Sequence, residues 1–357
     1  MSATTAARAW DEPSLPNSTS EAIEQEAIDC PLCGGEDHET LIVASDPVTG
    51  LGGRFRVVRC RECALAFTNP RPTVESIGRF YPDSYEPYQG REWDDGPRAR
   101  WQRTLERAVL RTYFGYRVKK PGFSENAGLL DRLLAAWGLI RMRRSRQRQS
   151  WIPFRRPGRL LDFGCGAGGF LEEMRSFGWT VEGLDMSADV AADVTARTGI
   201  PVHVGTLPHP QIRPESFDAL TMWNALEHVH QPRETVRAAA AALRRGGLLV
   251  IGVPNFDSWS FEKFQHHWHG LELPRHLTHF TPQTLCELLA REGLRVLSMQ
   301  HVARVGWVRR SARRAQASGW GTAALHACRF KPIGLRVADW TERRRRGDFI
   351  RAIAEKP

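Results

Sequence analysis

The stretch LLDFGCGAGGFLEEM, Leu160 to Met174, decides how the rest of the chain is read. It has the form of a short apolar strand, a glycine-rich turn and the start of a helix. Gly164, Gly166 and Gly169 satisfy G-x-G-x-x-G, the spacing of dinucleotide-binding loops. A pyrophosphate needs backbone N–H groups at a helix N-terminus and is repelled by a carboxylate beside them. Asp162 stands two residues before the first glycine, at the end of the strand. A cationic ligand reverses the sign of that argument, and the glycines let its backbone neighbours approach it closely.

Outward from this loop, strands and helices alternate to the end of the chain. RLLDF (159–163), TVEGLD (180–185), PVHVG (201–205), FDALTMWN (217–224), LLVIGVPN (248–255), LRVLSMQHV (294–302) and DFIRAIAEK (348–356) read as strands. Such alternation implies a mostly parallel sheet with helices on both faces. Phe170, Leu171, Met174 and Phe177 form the buried stripe of the helix after the loop, which stops at Gly178. Val236, Ala239, Ala240 and Leu243 mark another. It is expected to end at Arg244, Arg245, Gly246 and Gly247, with positive charge on the dipole end followed by a left-handed cap. Thr281 is an N-cap with Pro282 at the first helical position. The expected fold class is α/β, a Rossmann-like seven-stranded mostly parallel sheet, preceded by a helical segment and, before it, by a small domain with the C-x-x-C pairs Cys30–Cys33 and Cys60–Cys63, which reads as a zinc ribbon.

The upstream half divides by composition. Residues 1–27 read as a disordered leader, 28–70 as the zinc ribbon, 71–157 as a connector and helical segment, and 158–357 as the α/β domain. Within the connector, Trp101, Leu105, Ala108 and Tyr113 make one apolar stripe, and Leu130, Leu133, Leu134, Trp137 and Ile140 another. Residues 141–159 are strongly basic. Inside the α/β domain, 256–280 reads as a lid and 302–345 as an insertion before the last strand.

Two C-x-x-C pairs, Cys30–Cys33 and Cys60–Cys63, are separated by 26 residues. Each pair puts two thiolates on one tight turn, and two such turns complete a tetrahedral zinc site. With all four positions taken by protein, this zinc is structural. One pair would suffice for a redox dithiol. The remaining cysteines are scattered, so the seven do not make a disulfide framework, and a reducing compartment is expected. Residues 1–29 lack the apolar core of a signal peptide, and no run of about 18 uninterrupted apolar residues exists. The expectation is a cytoplasmic protein. The formal net charge of +10 suits an acidic partner, whether nucleic acid, a nucleotide-linked substrate or an anionic membrane surface, or simply a solvated arginine-rich surface.

The cation that fits a glycine loop guarded by Asp162 is S-adenosylmethionine, which carries a sulfonium and an α-ammonium and no phosphate. Asp185, ending the second strand, can accept hydrogen bonds from both ribose hydroxyls. In their order and spacing, LLDFGCGAGG, VEGLDMS, HVGTLP, FDALTMWNALEHV and LRRGGLLVIGVPN resemble the class I S-adenosylmethionine-dependent methyltransferases. The resemblance covers residues 158 to about 300 and the last strand. It implies that Asp162, Gly164, Cys165, Gly166 and Gly168 hold the methionine end, with Asp185 on the ribose and Met186 on the adenine. It also implies Thr206 and Leu207 near the adenine edge and Asn224 under the sulfonium. The cysteine ribbon followed by NPRPTVESIGRFYPDSY is similar to zinc-ribbon methyltransferases, which include sugar C-methyltransferases. LEHV is similar to the ubiquinone-pathway O-methyltransferases.

A hydroxyl or carbon acid acceptor needs a base. His228 in NALEHVHQP follows the fourth strand at the carboxyl edge of the sheet, where open α/β folds bind ligands. Glu227 beside it can orient a ring or bind a substrate hydroxyl. His276 matches a histidine that the resembling family often has just before the Thr281 helix, and Tyr81 and Tyr85 of the connector match tyrosines that reach the acceptor pocket in the sugar C-methyltransferases. The quinone-pathway enzymes have a further acid three residues before the Glu and hold a divalent ion there. Asn224 occupies that position here, which counts against a metal-assisted mechanism. The expected function is methyl transfer to a small-molecule acceptor, a sugar or glycan precursor. Two alternatives stay open: an RNA methyltransferase that grips phosphates with its ribbon and basic segments, and a non-catalytic adenosylmethionine-binding assembly protein. The basic 302–345 region offers a peripheral contact for an anionic membrane.

Overall fold

A computed structural model of the chain describes residues 23–82, 97–116, 132–138, 152–155 and 158–357. Residues 1–22 of the expected leader, the connector tyrosine Tyr85, and Leu130 and Ile140 of the second apolar stripe lie outside the described residues, as does most of the basic 141–159 stretch.

The N-terminal strands are β1 (Gln25–Glu26), β2 (His38–Ser45), β3 (Arg54–Cys60), β4 (Ala66–Thr68) and β5 (Arg71–Pro72). β2, β3 and β4 pair antiparallel as a ribbon. β1 arises inside the segment read as leader. It pairs with β5, and Arg71 Nε donates to Glu26 Oε1 at 2.8 Å. Two helices follow, α1 (Pro97–Tyr113) and α2 (132–138). Leu105 and Ala108 of the α1 stripe are buried, but its Trp101 and Tyr113 are exposed, as are Leu133 and Trp137 of α2. The small residues turn inward instead. A Cβ on Gly138 would sit 2.9 Å from Val109 Cγ2, so the absence of a side chain lets α2 lie close against α1.

The α/β domain runs β6 (Arg159–Phe163), α3 (Gly169–Ser176), β7 (Thr180–Asp185), α4 (Ala188–Thr198), β8 (Val202–Val204), β9 (Phe217–Trp223), α5 (Pro232–Ala242), β10 (Leu243–Pro254), α6 (Trp259–Phe264), β11 (Thr278–His279), α7 (Pro282–Arg291) and β12 (Arg295–Val302). It ends with α8 (Val305–Ala317), α9 (Ala323–Ala327), α10 (Lys331–Arg343) and β13 (Phe349–Glu355). The seven-stranded sheet has the order β12-β13-β10-β9-β6-β7-β8. Only β13 runs antiparallel to its neighbours, pairing with both β10 and β12. Successive side chains of a strand point to opposite faces, and here both faces are covered. Leu249, Ile251 and Val253 of β10 pack with α5 and α7, whereas Leu248 and Val250 pack with α1 and α3. α5 stops one turn earlier than its arginine–glycine run predicts. Its cap, Leu243, is already extended because Gly246 and Gly247 exchange backbone hydrogen bonds with Lys356 beyond β13.

The ribbon is not a separate bead. Leu32, Val58, Leu65 and Phe67 share the core cluster of Leu161, Leu220 and Leu285. Its sheet gains a fourth strand from the α/β domain, since β11 pairs antiparallel with β4. β11 lies inside the segment expected to be a lid, and Trp268, Leu271, Arg275, Leu277 and Phe280 there are all buried. That part of the segment is a wall joining ribbon to sheet, because pairing with β4 satisfies its backbone and burial fixes its side chains.

Candidate active site and metal centre

All parallel strands of the sheet end on one edge, and the glycine loop leaves β6 there. Gly164 has φ +71°, and a Cβ on it would sit 2.7 Å from Ala225 Cβ. Gly168 has φ +76°, caps α3, and would meet Val194 Cγ1 at 2.7 Å. Both positions therefore require glycine for space as well as for backbone conformation. The loop is tied to β7, with Gly166 N donating to Asp185 Oδ2 at 2.9 Å and Ser187 N to Asp185 Oδ1 at 3.0 Å. Each oxygen of Asp185 keeps a further lone pair for a ribose hydroxyl. Asp162 is buried under the loop and accepts from Thr221 Oγ1 at 2.6 Å. Burial, with the Asp185 charge added, pushes its carboxyl up to about 7. Two neighbouring acids, one of them desolvated, make a donor set that a sulfonium and ammonium would relieve and a pyrophosphate would aggravate. The residues present thus fit adenosylmethionine.

The other expected cofactor contacts fall in different surroundings. Met186 is 63% exposed, open to stack on a ring. Thr206 is exposed beyond β8, and the buried Leu207 follows it. Asn224 is exposed after β9 with φ +49°. Cys165 is buried and turned toward the core, packed in the same cluster as Leu171 and Met174. Only its backbone is available to a ligand.

Past β9 a short 3-10 turn, Leu226–His228, brings the acceptor residues together. Glu227 is 1% exposed, and among the described residues neither of its carboxylate oxygens has a hydrogen-bond partner. His276 Nε2 lies 4.0 Å from Glu227 Oε1 and 3.7 Å from Glu272 Oε2, while its Nδ1 contacts Gly270 O at 2.9 Å. The rings of His228 and His276 meet edge to face at 4.7 Å. His228 Nδ1 lies 3.0 Å from Arg275 O and 2.9 Å from the Tyr81 hydroxyl. A carbonyl only accepts, so Nδ1 carries the hydrogen and Nε2 keeps its lone pair. Burial drives His228 down to about 4, and the Arg275 charge works in the same direction. His276 is lowered further by burial and by its histidine neighbours. Burial pushes Glu227 up to about 8, which favours its protonated form at neutral pH. The ligand atoms of Glu227, His228 and His276 lie within 4.8 Å of one another, near enough to share a divalent cation.

This corner is fastened to the ribbon by residues that the sequence does not single out. Leu277 N donates to Glu227 O at 2.8 Å, Thr68 N to Leu277 O at 2.9 Å, and Thr68 Oγ1 to His276 O at 2.8 Å. Arg275, fully buried, donates to both oxygens of the equally buried Asp46 and to Phe80 O. An arginine next to a histidine is the only local sign of this, and its partner lies 229 residues away. The other histidines of the segment go elsewhere. His279 contacts Thr68 Oγ1, while His266 and His267 cluster with Trp320, and His269 meets Arg310.

At the far side of the ribbon, Cys30, Cys33, Cys60 and Cys63 converge with all four sulfurs within 4.8 Å. Cys30 Sγ is 3.4 Å from Cys63 Sγ, and Cys33 Sγ is 3.5 Å from Cys60 Sγ. A tetrahedral zinc with bonds of about 2.3 Å needs sulfurs about 3.8 Å apart, so the set fits zinc with little movement.

Residues 137–299 match the family model described as a methyltransferase domain. The ubiquinone biosynthesis O-methyltransferase of Hydrogenovibrio crunogenus is 31% identical over 108 residues, 29% of this chain and 45% of that protein. The enzyme of the same description from Aeromonas salmonicida is 29% identical over 174 residues, 43% of this chain and 72% of that protein. This chain thus spans about half the length of the first of these curated relatives. Among solved structures, a SAM dependent methyltransferase from Archaeoglobus fulgidus aligns with a TM-score of 0.40 at 18% identity, over 61% of this chain and 92% of that one.

Proposed function

We propose that this chain, whose core is a class I S-adenosylmethionine-dependent methyltransferase domain, moves a methyl group to a hydroxyl or carbon acid of a small molecule in the reducing cytoplasm, with a sugar or glycan precursor as acceptor. The observation that carries this reading is the imidazole of His228, held by its Nδ1 on the Arg275 carbonyl with Nε2 free beside a second, buried acid.

Bound adenosylmethionine supplies an electrophilic methyl on sulfur. The protein's part is to hold the acceptor in line with it, exclude water and take a proton. Asp185 and the glycine loop fix the nucleoside and the methionine chain. His228 Nε2 accepts the acceptor's proton, and Nδ1–H stays on the Arg275 carbonyl, which orients the ring. Tyr81, in contact with the same nitrogen, closes one side. Glu227, kept neutral by burial, can donate a hydrogen bond to an acceptor hydroxyl. A second reading rests on the convergence of Glu227, His228 and His276. These three would hold a divalent ion, and it would polarise the acceptor hydroxyl in place of a base.

Transfer of a tritiated methyl group into fractionated small molecules, glycolipids and RNA tests the reading. Label in a small-molecule or glycolipid fraction supports it. Label in RNA alone favours the nucleic-acid alternative, and no acceptor despite cofactor binding favours an assembly protein. Loss of turnover on mild chelation that leaves the ribbon zinc in place favours the metal-assisted reading.

A further inference from the structure

The insertion between β12 and β13 leaves the sheet at Val302 and returns at Phe349. β12 is parallel to the central strands, so both points lie on the edge that carries the glycine loop and the Glu227 turn. The insertion therefore sits on the substrate side of the molecule. Its last helix, α10, is two-faced. Gly334, Ala338 and Thr341 are buried toward the body. On the flank of that face the N-cap Phe330 and then Ile333 and Trp340 line up, with Val337 between them packed against the body and Trp340 meeting Trp259 edge to face at 6.2 Å. Phe330 is 51% exposed, Ile333 37% and Trp340 47%, while Val337 is half-buried. This apolar stripe is set in positive charge. Residues 329–346 hold seven arginines and lysines against two acids, Asp339 and Glu342. Glu342 accepts from Ala303 N and so is turned inward. The Arg329 guanidinium lies 4.3 Å over the Phe330 ring and that of Arg344 5.8 Å over Trp340, so cations stand directly beside exposed rings. No described helix is long and apolar enough to cross a bilayer.

We propose that this face of α10 docks on an anionic lipid surface. A short amphipathic helix with aromatics on its apolar side and arginines around it lies in the plane of the headgroups, with the rings dipping into the acyl boundary. The charge selects the surface: phosphate headgroups complement the arginines, whereas an apolar protein partner would leave them uncompensated. Docked this way, the substrate edge of the sheet faces the membrane, where an acceptor with a lipid anchor would present itself. The docking itself does not depend on the methyl-transfer reading.

Flotation of the full chain with vesicles tests the proposal. Wild-type protein should float with vesicles of phosphatidylcholine and phosphatidylglycerol at about 7:3 and at least about tenfold less with phosphatidylcholine alone. The double variant Ile333→Ser/Trp340→Ser should lose about tenfold of the binding to the mixed vesicles, and so should Arg336→Glu/Arg344→Glu. Unchanged circular dichroism and adenosylmethionine affinity show that the variants are folded. The proposal is overturned if wild-type protein stays with the pellet at low salt. It is also overturned if the apolar variant floats as well as wild type, which would reduce the effect to unspecific charge. A wild-type dimer that the apolar variant dissociates would show the face to be a contact between copies, again overturning it.

Discussion

The two ends of the substrate edge are built in opposite ways. The proposed cofactor end is built mostly from one continuous stretch, residues 160–187, whose loop, strand and carboxylates hold one another through Gly166, Asp185 and Ser187, with Thr221 under Asp162 and Thr206, Leu207 and Asn224 at its rim. The acceptor corner takes Tyr81, Glu227, His228, Arg275 and His276 from three separate segments and clamps them against the ribbon through Thr68, β11 and the Asp46–Arg275 pair. A local site can be damaged only from within. A composite site can be lost from a distance, and the two ends should therefore fail independently.

The largest separation should come from zinc. Four sulfurs gathered in one cluster lose the ion that ties the two turns together, and structural zinc contributes about 10–16 kcal/mol to small metal domains. Cys60→Ser, or exhaustive removal of zinc by a strong chelator, should abolish turnover by freeing β4 from β11. Adenosylmethionine binding, followed by calorimetry on the same sample, should stay near its starting value. Parallel loss of both would show that the ribbon supports the whole fold and that the two ends are one unit.

Next in size is His228→Ala, with a loss of about 10²–10⁴-fold in kcat and little change in cofactor affinity. The pH profile carries the same information. Because the folded pKa is depressed to about 4, the base form persists through mildly acidic solution, and kcat should fall only as the pH drops well below the ordinary imidazole value of 6.5. On the alkaline side Glu227, raised to about 8, ionises and loses its donor proton, so activity should decline there too. An acid limb near 6.5 would place the titrating base elsewhere.

Arg275→Met leaves the buried Asp46 charge with only its turn donors, Val48 N, Thr49 N and the Thr49 hydroxyl, and should cost about 3–5 kcal/mol of stability in urea unfolding. Adding Asp46→Asn should recover part of that loss, since the amide oxygen still accepts from the turn while the unpaired buried charge is gone. Failure of the second substitution to rescue would mean that the contacts of Arg275 with Phe80 O and its neighbours matter more than the pair. Smaller still is Asp185→Ala, which removes the acceptor for two loop N–H groups and for the ribose. It should weaken cofactor binding by about 1.5–3 kcal/mol, tenfold or more in Kd, with kcat at saturation largely kept.

The same contrast explains what could be read from the sequence. The glycine spacing, Asp162 and Asp185 sit at fixed distances along one strand–turn–helix, and periodicity alone outlines the seven strands of the sheet. The Thr281–Pro282 start of α7 is equally local, and its side-chain cap on Thr284 is in place. The cysteine pairs announce a ribbon because each is a turn complete in itself. Arg275 and Asp46 carry no such mark, since a buried ion pair between distant segments has no spacing. β11 is two residues long, too short for any pattern to register, yet it joins the two domains. The exposed Leu133 and Trp137 mislead for a related reason. Apolar residues at helical spacing suggest the buried face, but the small residues Ala135 and Gly138 allow the closer approach and win it.

The charge of the hollow beneath Gly164 to Gly168 decides which ligand it takes. Titration calorimetry of the zinc-loaded chain with adenosylmethionine and, separately, with NAD measures it directly. Saturable one-to-one uptake of adenosylmethionine, weakened in Asp185→Ala, with no heat from NAD, is the predicted result. Binding of NAD with no response to adenosylmethionine would contradict it.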